Sequence, residues 1–280
     1  MSDLGVSVGI PAHENASTIA ATIESLRRQT FEDWDCHVSC DSTSSETFDA
    51  AAEAIDGDLR FTLATNRDRP GVAGNWNEVL THASAPLFKL LCADDVLFPL
   101  ALEIQTSALR ENPTAVLCVG RRMIVDSRGR TIVKDRGMRG PTRVMDLDAV
   151  VQRVLKAGTN PLGEPSFSLY RTEALRTAGG FSTTWQYTID LASYIDVLRR
   201  GDLVAVDAIV GQFRVSASSW SSTLAPRQSQ EMRAVLDYAL SASTLDVSRI
   251  GLLLARTRVV STSMMRRVAS RVSARGSTTR

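Results

Sequence analysis

Between Val6 and Leu91 the chain alternates short apolar runs with segments of helical spacing, and nothing else in it constrains the fold as strongly. The apolar runs are Val6–Ile10, Cys36–Cys40, Arg60–Ala64 and Leu87–Leu91. Between them lie Ile19, Ile23 and Leu26, then Phe48, Ala51, Ala52 and Ile55, then the stretch Ala73–Ala83. Short apolar runs bounded by turn residues read as buried strands, and apolar residues three and four apart read as helix. Strands separated by helices cross over and lie parallel, with the helices covering the sheet. The expected class is α/β, with a mostly parallel central sheet flanked by helices.

The fourth run continues without a turn residue into two adjacent carboxylates, Asp94 and Asp95, and Pro99 opens the next helix, where its missing N–H costs nothing. Two acids at the carboxyl end of a strand are expensive to bury unless something positive meets them. In an open α/β sheet that end is also where ligands bind. The plainer alternative is that one of the acids caps the following helix.

Beyond Pro99 the regularity fades. A helix to Arg110, a strand Ala115–Val119 and a hairpin turn at Asp126–Arg130 between Met123–Val125 and Thr131–Val133 come first. Asp146 caps a helix to Lys156, a strand covers Phe167–Tyr170, and Thr172 caps a short helix that stops at Gly179-Gly180. Ser17 or Thr18 plays the same part for the first helix. A helix Asp190–Arg200 and strands Leu203–Val206 and Ile209–Val215 follow, so the sheet becomes mixed. After Pro226 only helices are expected, which divides the chain into a domain at 1–222 and a basic helical extension at 223–280.

Composition narrows the classes. A net charge of +1 over 280 residues gives no global case for nucleic acid. No apolar run reaches the length of about 18 residues that suggests a membrane span, and no signal peptide is visible at the N-terminus. The four cysteines form no CxxC pair, and Cys36 and Cys40 lie roughly 13 Å apart along a strand, too far for a disulfide. Cys92 and Cys118 read as small buried hydrophobes. A reduced, cytoplasmic protein is the expectation. Residues Arg249–Arg280 carry eight arginines and no acid, with Ile250, Leu253, Leu254, Val259, Val260, Met264 and Val268 forming an apolar stripe. That helix suits an anionic membrane surface on the cytoplasmic face, a homo-oligomer contact or packing on its own domain.

Several pieces, in order, resemble the inverting family 2 glycosyltransferases with the GT-A fold, over roughly Val6 to Trp220. Pro11-Ala12-His13-Glu14-Asn15 is similar to the loop after the first strand, which borders the nucleotide base. Asp41 in Cys40-Asp41-Ser42-Thr43 stands where the family contacts the uracil or ribose. Gly71 with Asn77 resembles the glycine-to-asparagine element before the central helix, and Ala93-Asp94-Asp95 the metal and diphosphate motif. Gly163-Glu164-Pro165-Ser166, Gly179-Gly180-Phe181 and Asp190 resemble the acceptor half. Phe213-Arg214-Val215 with Ser218, Ser219 and Trp220 resembles the closing strand and loop. In two places the chain departs from that pattern: Cys92 replaces the first acid of the DxD motif, and Ser216 replaces a histidine that reaches the metal in many relatives.

The resemblance implies a nucleotide-sugar donor (UDP-, dTDP- or GDP-linked), and Mg²⁺ or Mn²⁺ on Asp94 and Asp95. Pro11, His13, Asp41, Asn77, Ala93, Asp94 and Arg214 would face the donor, with Arg214 pairing with its diphosphate. Asp190 would be the general base, kept ionised by the start of its helix. Glu164, Trp185 and Tyr187 would bind a hydroxyl acceptor that is a sugar, a lipid-linked sugar or a small molecule. Trp76 is expected to pack in the core, and the Ser-rich segment around Trp220 to form a lid. Two rivals remain: a non-catalytic nucleotide-sugar-binding protein with a degraded metal site, and a nucleotidyltransferase. The latter would want a Gly-rich, basic first loop, and PAHENAS is neither.

Overall fold

The computed structural model describes residues 4–66, 68, 71–216, 224 and 227–276, those from 263 onward as backbone only. The first half follows the expected alternation. Strand β1 (Val6–Ala12), helix α1 (Ile19–Arg27), β2 (Trp34–Cys40), α2 (Glu46–Ile55), β3 (Phe61–Thr65), α3 (Gly71–Thr81) and β4 (Leu87–Leu90) succeed one another. β1 pairs in parallel with β2 and β4, and β2 with β3. The short β5 (Val96–Leu97), α4 (Ala101–Glu111) and a long β6 (Ala115–Val125) follow, then β7 (Thr131–Arg136), β8 (Arg143–Met145) and α5 (Leu147–Ala157). A one-turn 3-10 helix (Pro165–Phe167), β9 (Ser168–Arg171), α6 (Thr172–Thr177), α7 (Ile189–Leu198) and β10 (Asp202–Arg214) complete the sheet. Helices α8 (Gln228–Ala242) and α9 (Arg249–Gly276) end the chain.

The strand order is β3-β2-β1-β4-β9-β6-β10-β5, with β7 on β6 and β8 on β10. β9 runs antiparallel to both its neighbours, so the sheet is mixed and mostly parallel, as expected. The chain moves from β1 outward to β2 and β3, then returns to the other side of β1 for β4. The junction of β1 and β4 is therefore a topological switch point, where diverging loops leave a crevice at the carboxyl ends of the strands. The acid pair follows β4 into that crevice.

Each face of the sheet carries its own core. Ile19, Ile23 and Leu26 of α1, Ala51 and Ile55 of α2 and Leu102 and Leu109 of α4 cover one face. Val79 and Leu80 of α3, with α5, α6, α7 and α8, cover the other. Period-two alternation sorts β4 between them: Leu87 and Leu91 face the first, Phe88 and Leu90 the second. Lys89, on the first face, is fully buried and donates to Gln105 Oε1 and the Ser168 carbonyl. Burial pushes its ammonium down to about 7. Met232, Val235, Leu236 and Ala239 of α8 and Ala255 and Val259 of α9 join the second core.

Several local expectations shift for physical reasons. β1 continues through Pro11 to Ala12 instead of ending at Ile10. β4 pairs only as far as Gly9, so the ring nitrogen of Pro11 costs no ladder bond. Helix α4 begins at Ala101 rather than Pro99. The paired strands expected at Ala115–Val119 and Met123–Val125 are one, β6, and those at Leu203–Val206 and Ile209–Val215 are one bulged strand, β10. Asp146 caps α5 through the Ala149 N–H at 2.8 Å, as expected. Neither Thr18 nor Thr172 caps its helix; their hydroxyls donate to the carbonyls of Ala93 and Ala85 instead. All four cysteines are free.

Candidate active site

The parallel register places Ala12 beside Cys40, so the next residues, His13 and Asp41, leave their strands side by side. His13 Nδ1 and Asp41 Oδ1 lie 2.8 Å apart, the histidine largely exposed and the aspartate buried. The Asp41 carboxylate thus reaches across the strand ends. The two loops are laced again where the Glu14 N–H donates to Ser42 Oγ at 2.8 Å. Glu14 sits at φ 54°, a left-handed conformation that a side chain adopts only under local constraint.

Asp94 and Asp95 occupy a tight turn closed by the Asp95 N–H on the Cys92 carbonyl. The short β5 stands between that turn and α4, so neither acid caps the helix. Hydroxyls at the start of α1 pin the turn: Thr18, just before the helix, donates from Oγ1 to the Ala93 carbonyl at 2.9 Å, and Thr22 from Oγ1 to the Asp95 carbonyl at 2.8 Å. The backbone N–H of Arg214, the last residue of β10, donates to Asp95 Oδ1 at 3.1 Å. Burial raises both carboxyls above the ordinary range, and the Asp94 charge raises Asp95 further. The nearby Arg214 guanidinium opposes the shift at Asp94. The Ser166 hydroxyl and the Arg214 N–H both favour the charged form of Asp95 against that burial.

Arg214 and Asn77 do other work than expected. The Arg214 side chain donates to the carbonyls of Asp94, Ser127 and Asp126 at 3.1, 3.3 and 3.4 Å, fastening the acid turn to the β6–β7 turn. These bonds use Nε and Nη1 and leave the two Nη2 hydrogens out of the turn. Asn77 grips the backbone of Phe181 from both ends, Nδ2 to its carbonyl at 2.7 Å and Oδ1 from its N–H at 2.8 Å. That commits one N–H and one lone pair of the amide to the protein backbone, so the structure gives Asn77 a clamping role beside the expected donor contact. Asn75, two residues earlier, is the residue tied to the strand ends, through Ser39. Trp76 packs edge-on against Phe181, as expected.

On the other side of the acid turn, Asp190 lies in the first turn of α7. Asn160 Nδ2 donates to its Oδ2 and the Leu191 N–H to its Oδ1, both at 2.7 Å. The helix start favours the charged form of this carboxylate, as expected, but burial opposes it. Desolvation outweighs those two bonds and pushes its pKa up to about 6. Tyr194, four residues on and therefore on the same helix face, donates to the Gly163 carbonyl. Glu164 is held by Arg122, with Nε–Oε2 at 2.5 Å and a terminal nitrogen to Oε1 at 2.9 Å. Gly163, at φ 104°, makes room for that guanidinium: a Cβ there would lie 2.8 Å from it. Ser166 Oγ accepts from the Cys92 N–H. The Glu164 charge acts on both Asp95 and Asp190, so the Gly163–Ser166 loop joins the two halves of the site.

Trp185 and Tyr187 were expected to stack on an acceptor sugar. Instead Trp185 packs on the core with its ring centroid 6.1 Å from that of Tyr238 on α8. Glu231 of α8 takes the N–H groups of Gln186, Tyr187 and Thr188. Helix α8, outside the resembling region, covers this loop. Ser218, Ser219 and Trp220, with the expected lid, lie outside the described residues.

Sequence reasoning missed Arg122, Asn160 and the α1 hydroxyls. Arg122 left a signal, since an arginine in the apolar run of β6 must find an acid. Asn160 left none.

Does this site suit a divalent cation? Asp94 and Asp95 are hard oxygen donors, and they follow β4 at the carboxyl end of the strand. Among the described residues no cluster of three His, Cys, Asp or Glu side chains forms. Mg²⁺ usually takes one or two carboxylates and completes its shell with phosphates and water. The pair fits a cation that arrives with, or is completed by, a diphosphate.

Residues 7–179 match the family model described as Glycosyl transferase family 2. The chain is 34% identical over 112 residues to the E. coli UDP-Glc:alpha-D-GlcNAc-diphosphoundecaprenol beta-1,3-glucosyltransferase WfgD, covering 40% of this chain and 44% of that one. It is 26% identical to the putative glycosyltransferase EpsE of Bacillus subtilis, over 63% of this chain and 59% of the relative. The chain thus spans about half the length of these curated relatives. Among solved structures it resembles S. aureus TarS 1–349 in complex with UDP-GlcNAc, with TM-score 0.68, 15% identity, and 91% of this chain and 70% of that chain covered. It also resembles the mannosyltransferase PcManGT from Pyrobaculum calidifontis in complex with GDP-Man and Mn²⁺, with TM-score 0.63, 16% identity and 93% and 75% covered. The expected fold is the one these structures share.

Proposed function

Because the chain belongs to glycosyl transferase family 2, we propose that it moves one sugar from a nucleoside-diphosphate sugar to a hydroxyl acceptor, with inversion at the anomeric carbon. The observation that carries this is the pair of shielded carboxylates at the β1/β4 switch point, linked through the Gly163–Ser166 loop to Asp190. Asp94 and Asp95 would hold Mg²⁺ or Mn²⁺ against the diphosphate. A cation bound there neutralises the charge that grows on the leaving group. His13 and Asp41, at the mouth of the crevice, border the nucleoside.

Asp190 takes the proton of the acceptor hydroxyl as its oxygen bonds to the anomeric carbon and the bond from that carbon to the diphosphate oxygen breaks. A base whose pKa lies near 6 is largely ionised at neutral pH and still accepts a proton readily. Asn160 and the Leu191 N–H hold its two oxygens in place, and each oxygen keeps a further lone pair for the acceptor. The relatives named above support a setting in polysaccharide or glycolipid assembly. We also propose that α9 touches an anionic membrane surface, because Ile250, Leu253 and Leu254 remain exposed on it within its arginine-rich sequence.

Calorimetric titration of UDP, GDP and dTDP, each with and without Mn²⁺, tests the donor reading. One nucleotide should bind in a metal-dependent way, and Asp94→Ala should weaken it at least about tenfold. Binding of none of the three would refute it. Transfer that survives Asp94→Ala would leave the acid pair without a role.

A further inference from the structure

We propose that Glu231, on α8, is a positioning residue for Asp190: it fixes the backbone from which α7 starts and so sets where the base stands against the acceptor hydroxyl. This rests on the transfer reading above and deepens it. Three consecutive N–H groups, those of Gln186, Tyr187 and Thr188, converge on one carboxylate oxygen, Glu231 Oε2, at 3.0, 2.7 and 3.3 Å. Successive backbone donors turned toward one point make an anion-binding nest. Here a side chain 43 residues beyond Thr188 fills it, and Asp190 is the next residue but one.

Helix α7 has no cap of its own. Its N-cap residue, Thr188, makes no side-chain cap bond, so the donors at the helix opening need partners from elsewhere. Glu231 supplies one to Thr188 and to the two residues before it, and its charge suits the positive end of a helix. The far end of the same loop is anchored separately. Asn77 clamps Phe181, and Ser193 Oγ accepts the Ser182 N–H at 3.0 Å. Nearer α7 the grip is that of α8 and the residue before it: Arg227 donates to Gln186 Oε1 at 2.5 Å, and Trp185 packs beside Tyr238.

The contact acts on the base because the two oxygens of Asp190 have partners of different origin. The Leu191 N–H moves with α7, whereas Asn160 comes from a separate loop. A slide or rotation of the first turn of α7 therefore breaks the match with Asn160 and opens the carboxyl to water. Misplacement by about 1 Å costs about a hundredfold in rate. Helix α8 holds α7 a second time, where the Tyr238 hydroxyl donates to Asp196. That contact lies more than a turn beyond Asp190, so the two can be cut independently. Both helices follow residue 179, where the match to the family model ends.

The test uses the full chain carrying carbon-13 at its aspartate carboxyls, the Asp190 signal being the one lost in Asp190→Asn. In the wild type that signal should titrate with a midpoint of about 6. Glu231→Ala frees the loop and admits water, so the midpoint should fall below about 5, toward the ordinary carboxylate range. Should that variant fail to fold, Glu231→Asp, shorter by one methylene and still charged, carries the same expectation. Glu231→Gln keeps an acceptor in the nest and should restore the midpoint. Tyr238→Phe, which cuts the other contact, should leave it in place. Nucleotide release from UDP-glucose, UDP-GlcNAc and GDP-mannose is followed in parallel. On the donor turned over, Glu231→Ala should lower kcat at least about tenfold with KM within about twofold, and Glu231→Gln should recover most of the loss. A midpoint that ignores the loss of Glu231, or that Tyr238→Phe moves equally, overturns the positioning role even where nucleotide is released. A midpoint moved only through Glu231, in a wild-type chain that releases nucleotide from none of the three, leaves the positioning role standing and sinks the transfer reading.

Discussion

At Asp190, helix position and burial act in opposite directions. The first turn of α7 and the bonds from Leu191 and Asn160 favour the carboxylate, while desolvation favours the neutral acid, and desolvation wins. The pKa of about 6 lies above the ordinary value, so the base is lost as pH falls. The transfer rate at low substrate should rise with unit slope below about pH 6 and level off above it. Asp190→Asn should lower that rate by about 10²–10⁴, abolish the acid limb and leave nucleotide binding within about twofold. A limb near pH 6 that persists in the variant would move the base elsewhere. The sign was not legible in the sequence: Thr188-Ile189-Asp190 announces a helix start, but the burial that overrides it arises only where distant segments, Asn160 and the Gly163–Ser166 loop among them, close on the helix. That His13 meets Asp41 follows from the register of β1 on β2, which the sequence did not fix.

Among the elements, α3 shows the same division. Its spacing predicted a helix, and Gly71 with Asn77 was assigned to the donor. The structure uses Asn77 to clamp Phe181, thereby fixing the Gly179-Gly180 turn that stops α6. Gly180 has φ 75°, and a Cβ there would lie 2.4 Å from Asn77 Oδ1. Gly180→Ala should therefore cost about 1–3 kcal/mol. Asn77→Ala should cost a similar amount, since it strands two backbone groups. Both are measurable as shifts of the urea midpoint at constant slope. Nucleotide affinity should change less than about threefold. A large loss of affinity with unchanged stability would make the donor contact the main role of Asn77. Only the pairing of residues 104 positions apart distinguishes the two roles, and local pattern holds no trace of it.

Across the whole molecule, α9 presents a divided face. Ala255 and Val259 are buried against the rest of the protein, whereas Ile250, Leu253 and Leu254 point outward. No helix among the described residues is long and apolar enough to cross a membrane. The full chain should sediment with vesicles containing phosphatidylglycerol, release as salt rises, and ignore pure phosphatidylcholine. Leu253→Ser/Leu254→Ser should weaken the association. Sedimentation that is absent, or indifferent to lipid charge, would rule out α9 as a membrane contact. The sequence by itself determined the α/β class, the parallel first half, and the position of Asp94 and Asp95 at the end of a buried strand. Those features follow from local periodicity and from the few ways strands joined by helices can pair. What only the tertiary structure decided is which polar groups each site residue meets. Arg122 reaches Glu164, Arg214 fastens the acid turn, Asp190 meets Asn160, and α8 covers Trp185. Burial and pairing of that kind depend on the approach of distant segments, and a linear pattern carries the tendency of each segment but not the partner it will find.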